Sequence, residues 1–216
     1  ICVQAVIFQD GGLLALGANI FNMAVVGVFV SYVVYVILKK IIPNGKWAIG
    51  IIGFIAGWCS VFIAALAAAL ELAASGTFPA NITVPAMGSI HALIGIGEGL
   101  ITFAVLLALA NINKGLLLNL KKPKPLDRFI FIGGIILALL LATLSPLASK
   151  DPDGLEKVAA NLGFLSRAKE SFYRLIPDYF FPGIQDKKIA TIIAGVLGVA
   201  LIVSAALFAY RRNTNK

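Results

Sequence analysis

The chain has 216 residues, 60% of them hydrophobic and 13% charged, with a mean hydropathy of +0.96. Soluble domains run at about 45–50% apolar and about 25% charged, so a water-soluble globular domain is excluded and an integral membrane protein is indicated. The formal net charge of +8 raises nucleic acid or anionic lipid as partners, but the basic residues sit between apolar segments in a pattern that belongs to topology, and no nucleic-acid partner is expected.

Residues 1–8, ICVQAVIF, have neither the basic flank nor the small-residue cleavage pattern of a signal peptide. They also fall short of the roughly 20 apolar residues that span a bilayer. They read as the last turns of a helix whose beginning is absent, so the chain is expected to be the C-terminal part of a longer protein. The stretch FQDGGLLALGANIFNM (8–23) then interrupts the apolar sequence with Asp10, paired glycines, Asn19 and Asn22. Non-helical backbone at membrane depth survives only when buried in protein or lining a wet cavity. A broken segment of this kind is a usual place for a substrate or ion. The plainer reading is that Asp10 caps a helix or holds a turn.

Five apolar segments follow, at 22–38, 47–75, 84–110, 129–148 and 189–210. Most match the length of a spanning helix, and the second and third are long enough to tilt or to extend past the lipid. The predicted fold is all-α: a polytopic transmembrane helical bundle made of a truncated stub and about five transmembrane helices. Pro123 and Pro125 break any helix across residues 111–128. This divides the chain into a membrane core (1–110), a cytoplasmic linker (111–128) and a second unit (129–216) with two transmembrane helices and a loop at 149–188. Cys2 and Cys59 lie inside apolar runs and read as small hydrophobes.

Charge sets the orientation. The 39–46 loop holds Lys39, Lys40 and Lys46 and no acid, and the 75–83 loop holds no charge. The linker holds Lys114, Lys121, Lys122, Lys124 and Arg128 against Asp127, while the 149–188 loop has seven basic and six acidic residues. The C-terminal RRNTNK adds three basic residues. Excess Lys and Arg therefore falls on alternate loops, which places 39–46, the linker and the C-terminus in the cytoplasm and the 149–188 loop outside. The expected location is the prokaryotic cell (inner) membrane, crossed several times.

An ionisable group inside a bilayer costs about 2.5–3.5 kcal/mol on insertion scales, so each needs a reason. The core half has three: Glu71, His91 and Glu98. His91, Gly95, Glu98 and Thr102 share one helix face by spacing, and Gly95, Gly97 and Gly99 allow a neighbouring backbone to approach. The deduced topology gathers Asp10, Asn19, Asn22, Glu71 and His91 near one outer mouth, with Glu98 about 10 Å deeper at the helical rise. The plainer readings are a hydrogen-bonded packing histidine for His91, a structural hydrogen bond for Glu98, and a close helix contact for GFIAG (53–57). The sequence holds no phosphate-binding G-x-x-x-x-G-K-[ST], no H-E-x-x-H and no G-x-S-x-G, so an enzymatic alternative rests on Glu98 and His91 as acid and base.

In the outer loop, Pro152, Asp153 and Gly154 predict a turn. Leu155, Val158, Leu162 and Leu165 then recur at helical spacing, predicting a short amphipathic helix on the outer mouth of the core. Tyr173, Tyr179, Phe180 and Phe181 suit the aromatic belt of a membrane interface. A calcium loop built on Asp151, Asp153 and Glu156 lacks the spaced ligand set it needs.

Two stretches, QAVIFQDGGLLALGANIFNMAVVGVFVSY and SIHALIGIGEGLITF, resemble the CbiM/NikM family, the substrate-binding membrane subunits of energy-coupling-factor transporters for cobalt and nickel. The stretch LATLSPLASKDPDGLEKVAANLGF resembles the PDGLE domain, which is similar to the small CbiN/NikN subunits. Together the resemblance covers nearly the whole chain, in the order of a fused protein. It implies a transported Ni²⁺ or Co²⁺ and no permanently bound cofactor. It also implies two partners, a CbiQ/NikQ-like transmembrane coupling subunit and a CbiO/NikO-like ATPase subunit. The family's primary metal ligands are an N-terminal amine, the histidine after the initiating methionine and a histidine of an early helix, and none of these positions occurs in this sequence. Asp10, Asn19 and His91 match family-typical positions that support the site from behind the ligands, and Asn22, Glu71 and Glu98 join them as pathway candidates. Neutral nitrogen donors suit both metals, which leaves nickel and cobalt undecided. A non-transporting assembly subunit is the remaining alternative.

Overall fold

The computed structural model describes residues 1–45, 47–112, 125–147, 153–167 and 173–214. Lys46, most of the linker, Asp151, Pro152 and the last two residues, all invoked above for charge or turn chemistry, lie outside the described residues. Among the described residues there are eight α-helices and no strand: α1 (Cys2–Ile7), α2 (Gly12–Asn19), α3 (Gly27–Ile41), α4 (Ala48–Ala74), α5 (Ala80–Ile112), α6 (Pro125–Leu144), α7 (Gly154–Leu162) and α8 (Lys187–Thr214). Five stretches are long and apolar enough to cross a membrane: Gly12–Ile41, Ala48–Ala74, Ala80–Asn111, Phe129–Leu147 and Lys187–Phe208. Helices satisfy every backbone donor and acceptor within the segment, which hydrocarbon demands.

The chain forms two compact units. One comprises Ile1–Leu16, Lys121–Lys150 and Ser171–Lys216, the other Gly17–Leu120 and Asp151–Glu170. The units therefore draw on both halves of the sequence.

In the larger unit, α4 and α5 pack as a hairpin held by small residues. A β-carbon at Gly53 would run into Leu106 Cδ1, and one at Gly99 would come within 2.9 Å of the Phe54 carbonyl oxygen. Gly95 lies under Trp58, whose indole N–H donates to the Ala92 carbonyl at 2.9 Å. Close backbone approach of this kind is what drives helix association where lipid is as apolar as the side chains. Gly97, expected to join Gly95 and Gly99, faces open space. The hairpin turn is closed by Gly76 at φ +70° and by the Thr77 N–H donating to the Leu72 carbonyl at 3.0 Å.

The sequence break proves shorter than its composition suggests. Positive φ angles occur at Gln9 (58°), Gly11 (71°) and Gly12 (63°), so the turn ends at Gly12. Asn19 and Asn22, expected in non-helical backbone, are helical: α2 runs through Asn19, and Ile20–Val26 forms a π-helical turn that leads into α3. The amide of Asn22 finds a partner on α4 and so need not unwind its own helix.

In the smaller unit, α6 and α8 pack through Gly195 against Ala142. Asp186 caps α8, its carboxylate accepting from the N–H groups of Lys188 (2.8 Å) and Ile189 (3.2 Å), as the free donors of a helix start require. The stub is tied to the segment before α8. The Ile176 N–H donates to the Ile7 carbonyl at 3.2 Å, and the Asp178 N–H donates to the Phe8 carbonyl at 3.1 Å. Phe8 is buried, stacks on Tyr179 with ring centroids 4.8 Å apart and lies against Gly198.

Candidate functional site

Three polar arrangements contain the residues singled out by sequence. The first joins α4 to the π-helical turn. Asn22 is buried, and its Nδ2 donates to Glu71 Oε2 at 2.8 Å. Its Oδ1 is also buried and has no hydrogen-bond partner among the described residues. An unmet buried acceptor costs about 1–3 kcal/mol, and π-helical turns concentrate at functional positions. One turn further along, the Ser60 hydroxyl donates to the Gly27 carbonyl at 2.9 Å, and a β-carbon at Gly27 would come within 3.0 Å of that hydroxyl oxygen. Asn22–Glu71 and Gly27–Ser60 thus fix this turn against α4.

The second arrangement centres on His91. Its Nδ1 lies 2.9 Å from the Met87 carbonyl oxygen, which can only accept, so Nδ1 carries a proton and, in the neutral imidazole, Nε2 is the acceptor nitrogen. That nitrogen faces Gly154, the first residue of α7: a β-carbon at Gly154 would come within 2.7 Å of both Nε2 and Cε1. Helix α7 is placed as its sequence dictates. Asp153 caps it, accepting from the Glu156 N–H at 2.7 Å, and Gly163 ends it at φ 78°, the left-handed conformation usual for that position. Asp153 is thereby engaged as a cap. The buried face differs from the expected stripe. Val158, Ala159 and Phe164 are buried with Ala65, Ala69 and Met87, and Leu162 packs alongside, whereas Leu155 and Leu165 stay 41% and 45% exposed. The left-handed Gly163 turns the chain, so Phe164 takes the core position assigned to Leu165.

The third arrangement holds Asp10. Its Oδ2 accepts from Gln4 Nε2 at 2.7 Å and from the Tyr179 hydroxyl at 3.1 Å. Burial pushes the Tyr179 phenol up to about 12, with the charge of Asp10 and its hydrogen bond adding to the effect. The Tyr173 hydroxyl donates to the Val6 carbonyl at 2.9 Å, and Gln9 bonds the Tyr173 carbonyl. Tyr179 and Phe181 pack with Phe8 and Ile176. Two tyrosines expected in an aromatic belt thus anchor the stub, while Phe180 remains exposed.

The structure therefore brings Asn22 to Glu71 and His91 to α7, and holds Asp10 with Gln4 and Tyr179 in the smaller unit. Asn19 is half-buried at the start of the π-helical turn, and its side chain makes no cap bond. Glu98 is exposed on α5 and lines a groove between α3, α4 and α5. Two turns of helix, about 10 Å of rise, separate it from His91, and the two side chains have different surroundings. Sequence reasoning missed Gly154, Ser60, Gln4 and Tyr179 as parts of these arrangements. Gly154 was legible as a turn residue, but nothing in its spacing pointed to His91. Among the described residues no group of three His, Cys, Asp or Glu side chains is arranged to hold a metal ion.

Residues 1–116 match the family model described as the cobalt uptake substrate-specific transmembrane region, and residues 128–212 match the PDGLE domain. The “Putative fused nickel transport protein NikMN” of Archaeoglobus fulgidus is 34% identical, over 97% of this chain and 69% of its own length. The fused nickel transport protein NikMN of Rhodobacter capsulatus is 28% identical, over 94% of this chain and 69% of its own length. The cobalt transport protein CbiM of Acetohalobium arabaticum is 57% identical over 42 residues, 19% of this chain and 17% of its own. No solved structure matches.

Proposed function

The chain belongs to the family of cobalt-uptake substrate-specific transmembrane regions and is a substrate-specific membrane subunit for nickel or cobalt transport, and we propose that its PDGLE half acts on metal entry through α7. The observation that carries this is the docking of α7 on the α4–α5 hairpin, with Gly154 against His91. Neither nickel nor cobalt is favoured by the side chains present. The ion is cargo; Asp10, Asn19 and His91 support its site from behind the ligating groups by hydrogen bonds, and Asn22, Glu71 and Glu98 are pathway candidates. The family division falls at 111–128, with the core before it and the PDGLE unit after it.

In this reading the subunit selects the ion, while ATP hydrolysis occurs in partner ATPase subunits reached through a transmembrane coupling subunit. The membrane is crossed with the 149–188 loop outside and the C-terminus in the cytoplasm, following the basic-residue alternation. Each support residue is worth about 10–100-fold in metal affinity by the general effect of such shells, so Asn19→Ala, His91→Ala and Asp10→Ala each weaken uptake. The deciding test is a charge on the buried face of α7. Leu162→Asp lowers nickel or cobalt uptake while the protein still inserts in the membrane. Unchanged uptake kinetics in that variant would reduce the loop to a spacer.

The enzymatic alternative needs Glu98 and His91 at one reaction centre. Two turns of α5 and different surroundings separate them, so no acid–base pair is built there.

A further inference from the structure

Among the described residues, three that are not glycine stand at positive φ: Gln9 (58°), Asp178 (51°) and Tyr179 (59°). The other left-handed positions are glycines, at 11, 12, 76, 163 and 183. The three exceptions come from opposite ends of the sequence and meet at one contact, between residues 173–181 and the turn that ends α1. Gln9 follows Phe8, the last cap residue of α1, where a helix usually places glycine. A left-handed tyrosine is rarer still, because a bulky side chain crowds its own backbone. Strained residues of this kind cluster at clamps and switch regions.

The contact itself holds these residues in place. The Gln9 amide donates to the Tyr173 carbonyl, and the Tyr173 hydroxyl donates to the Val6 carbonyl. The Asp178 N–H donates to the Phe8 carbonyl, while Tyr179 stacks on Phe8 and donates to Asp10. Asp178 contributes only its backbone, since its side chain is exposed, and glycine would make the same hydrogen bond without the crowding. The apolar part is small. Phe8, Ile176 and Ala194 are its buried members, and Leu175 and Phe180 stay exposed. Each hydrogen bond adds little net stability, and each left-handed side-chain-bearing residue works against the closed form. The contact thus belongs to the low-stability end of the fold, from which moving elements are drawn. Residues 173–186 lie outside the five spans, so water can take over their hydrogen bonds when the contact parts. Beyond it comes Gly183, left-handed at φ 83° with open space where a side chain would stand, and the chain can swing there without a clash.

We propose that residues 173–181 form a strap held closed against backbone strain, which lifts from the turn at Phe8–Asp10 about Gly183 and closes again as the protein works. Closed, it commits Asp10 to Tyr179 as well as to Gln4. Lifted, it takes the tyrosine away and lets Asp178 and Tyr179 relax to ordinary φ. The strain sets the balance: glycine at these positions would hold the closed form more firmly and make it lift less often. The link to uptake rests on the reading that Asp10 supports a nickel or cobalt site, whereas the strap itself does not depend on it.

Asp178→Gly and Asp178→Ala separate strain from loss of the side chain. Both remove the same exposed carboxylate and keep the N–H, and only alanine keeps the crowding β-carbon. In the whole chain in nanodiscs, the Ile176 amide, which bonds Ile7, should exchange about fivefold more slowly in the Asp178→Gly variant than in the Asp178→Ala variant. Equal exchange in the two, or faster exchange with glycine, would overturn the proposal, because the closed backbone would then hold no strain. A second arm asks whether the strap must lift. In a chain without Cys2 and Cys59, Ile7→Cys and Ile176→Cys joined by a short reducible linker should lose nickel and cobalt uptake in membranes of the native host. Reduction should restore it, and either single variant treated with the same reagent should keep it. Uptake undiminished by the linker would overturn the lifting step. A parent chain that takes up neither metal removes the transport reading, and the glycine–alanine comparison then decides the strap by itself.

Discussion

Gly154 has no β-carbon because the imidazole of His91 occupies its place: an added carbon would lie 2.7 Å from Nε2. This one contact ties the start of α7 to the middle of α5. Gly154→Ala forces either the ring or the helix to shift, and overpacking of this kind costs about 1–3 kcal/mol. The expected outcome is faster hydrogen exchange across residues 155–162, with the α4–α5 hairpin itself unaffected. His91→Ala in the same chain removes the two closest atoms and leaves only the flexible end of Ile94, Cδ1 at 3.0 Å, beside the new methyl, so the double variant should exchange more slowly than Gly154→Ala alone. Equal exchange in the two would mean that the ring is not what excludes a side chain.

Asn22 and Glu71 are coupled through one half-buried hydrogen bond, and the coupling is measurable. Asn22→Leu removes the donor and leaves the carboxyl without it, at a cost of about 1–3 kcal/mol. Glu71→Leu strands the amide in turn, adding a second unmet group to Oδ1. The double variant removes both partners and should recover much of either single loss in thermal unfolding in detergent. A coupling of about 0.5–3 kcal/mol is expected for groups in contact. Strict additivity would show that the pair contributes nothing to the packing of the π-helical turn.

The stub's anchor should respond to alkali. The Tyr179 phenol must keep its proton to donate to Asp10, and it titrates at about 12 in the folded protein, above its ordinary 10. A group whose pKa is raised by folding contributes stability that is complete below the unfolded value and is lost as the pH passes through the folded one. The bond should therefore hold up to about pH 10 and fail between about 10 and 12. Exchange of the Ile176 and Asp178 amides, which bond Ile7 and Phe8, should accelerate in that window. Tyr179→Phe should flatten the response. Asp10→Asn should lower the tyrosinate midpoint but leave it above the ordinary value, because burial is the larger cause.

The five spans were legible because hydropathy alone sets them, and α7 was legible from the turn at Asp153 and Gly154 and the helical recurrence of apolar residues after it. What periodicity did not reveal was the far side of each contact. The stripe put Leu165 in the core, but helical spacing cannot continue past Gly163, and Phe164 takes the place. Asn19 and Asn22 read as parts of a broken segment, where amides can satisfy freed backbone groups. That argument fails for Asn22, where a carboxyl 49 residues later accepts the amide. Tyr173 and Tyr179 carried the composition of an interface belt, yet their hydroxyls serve Val6 and Asp10 more than 160 residues earlier. Residues that partner across such distances leave no local signal, so the pairings of the candidate residues were not legible in the sequence.

The proposed orientation in the membrane rests on where the basic residues fall, and it has a direct test. Lys39 and Lys40 end α3, and the chain's other basic-rich stretches lie between α5 and α6 and at the C-terminal end of α8, while the turn between α4 and α5 carries no charge. Retaining Lys and Arg on one side is the dominant determinant for short loops, and the proposed topology accordingly puts all these ends on the cytoplasmic side and residues 75–83 and 149–188 opposite. In a chain without Cys2 and Cys59, Ala80→Cys and Ala160→Cys should react with a membrane-impermeant thiol reagent added outside, and Asn44→Cys and Leu120→Cys should react only after the membrane is opened. The two inner positions guard against leakage and the two outer ones against a blocked thiol. Labelling of position 44 from outside in intact cells would invert the topology, and α7 would then face the cytoplasm, where it has no part in capturing an incoming ion.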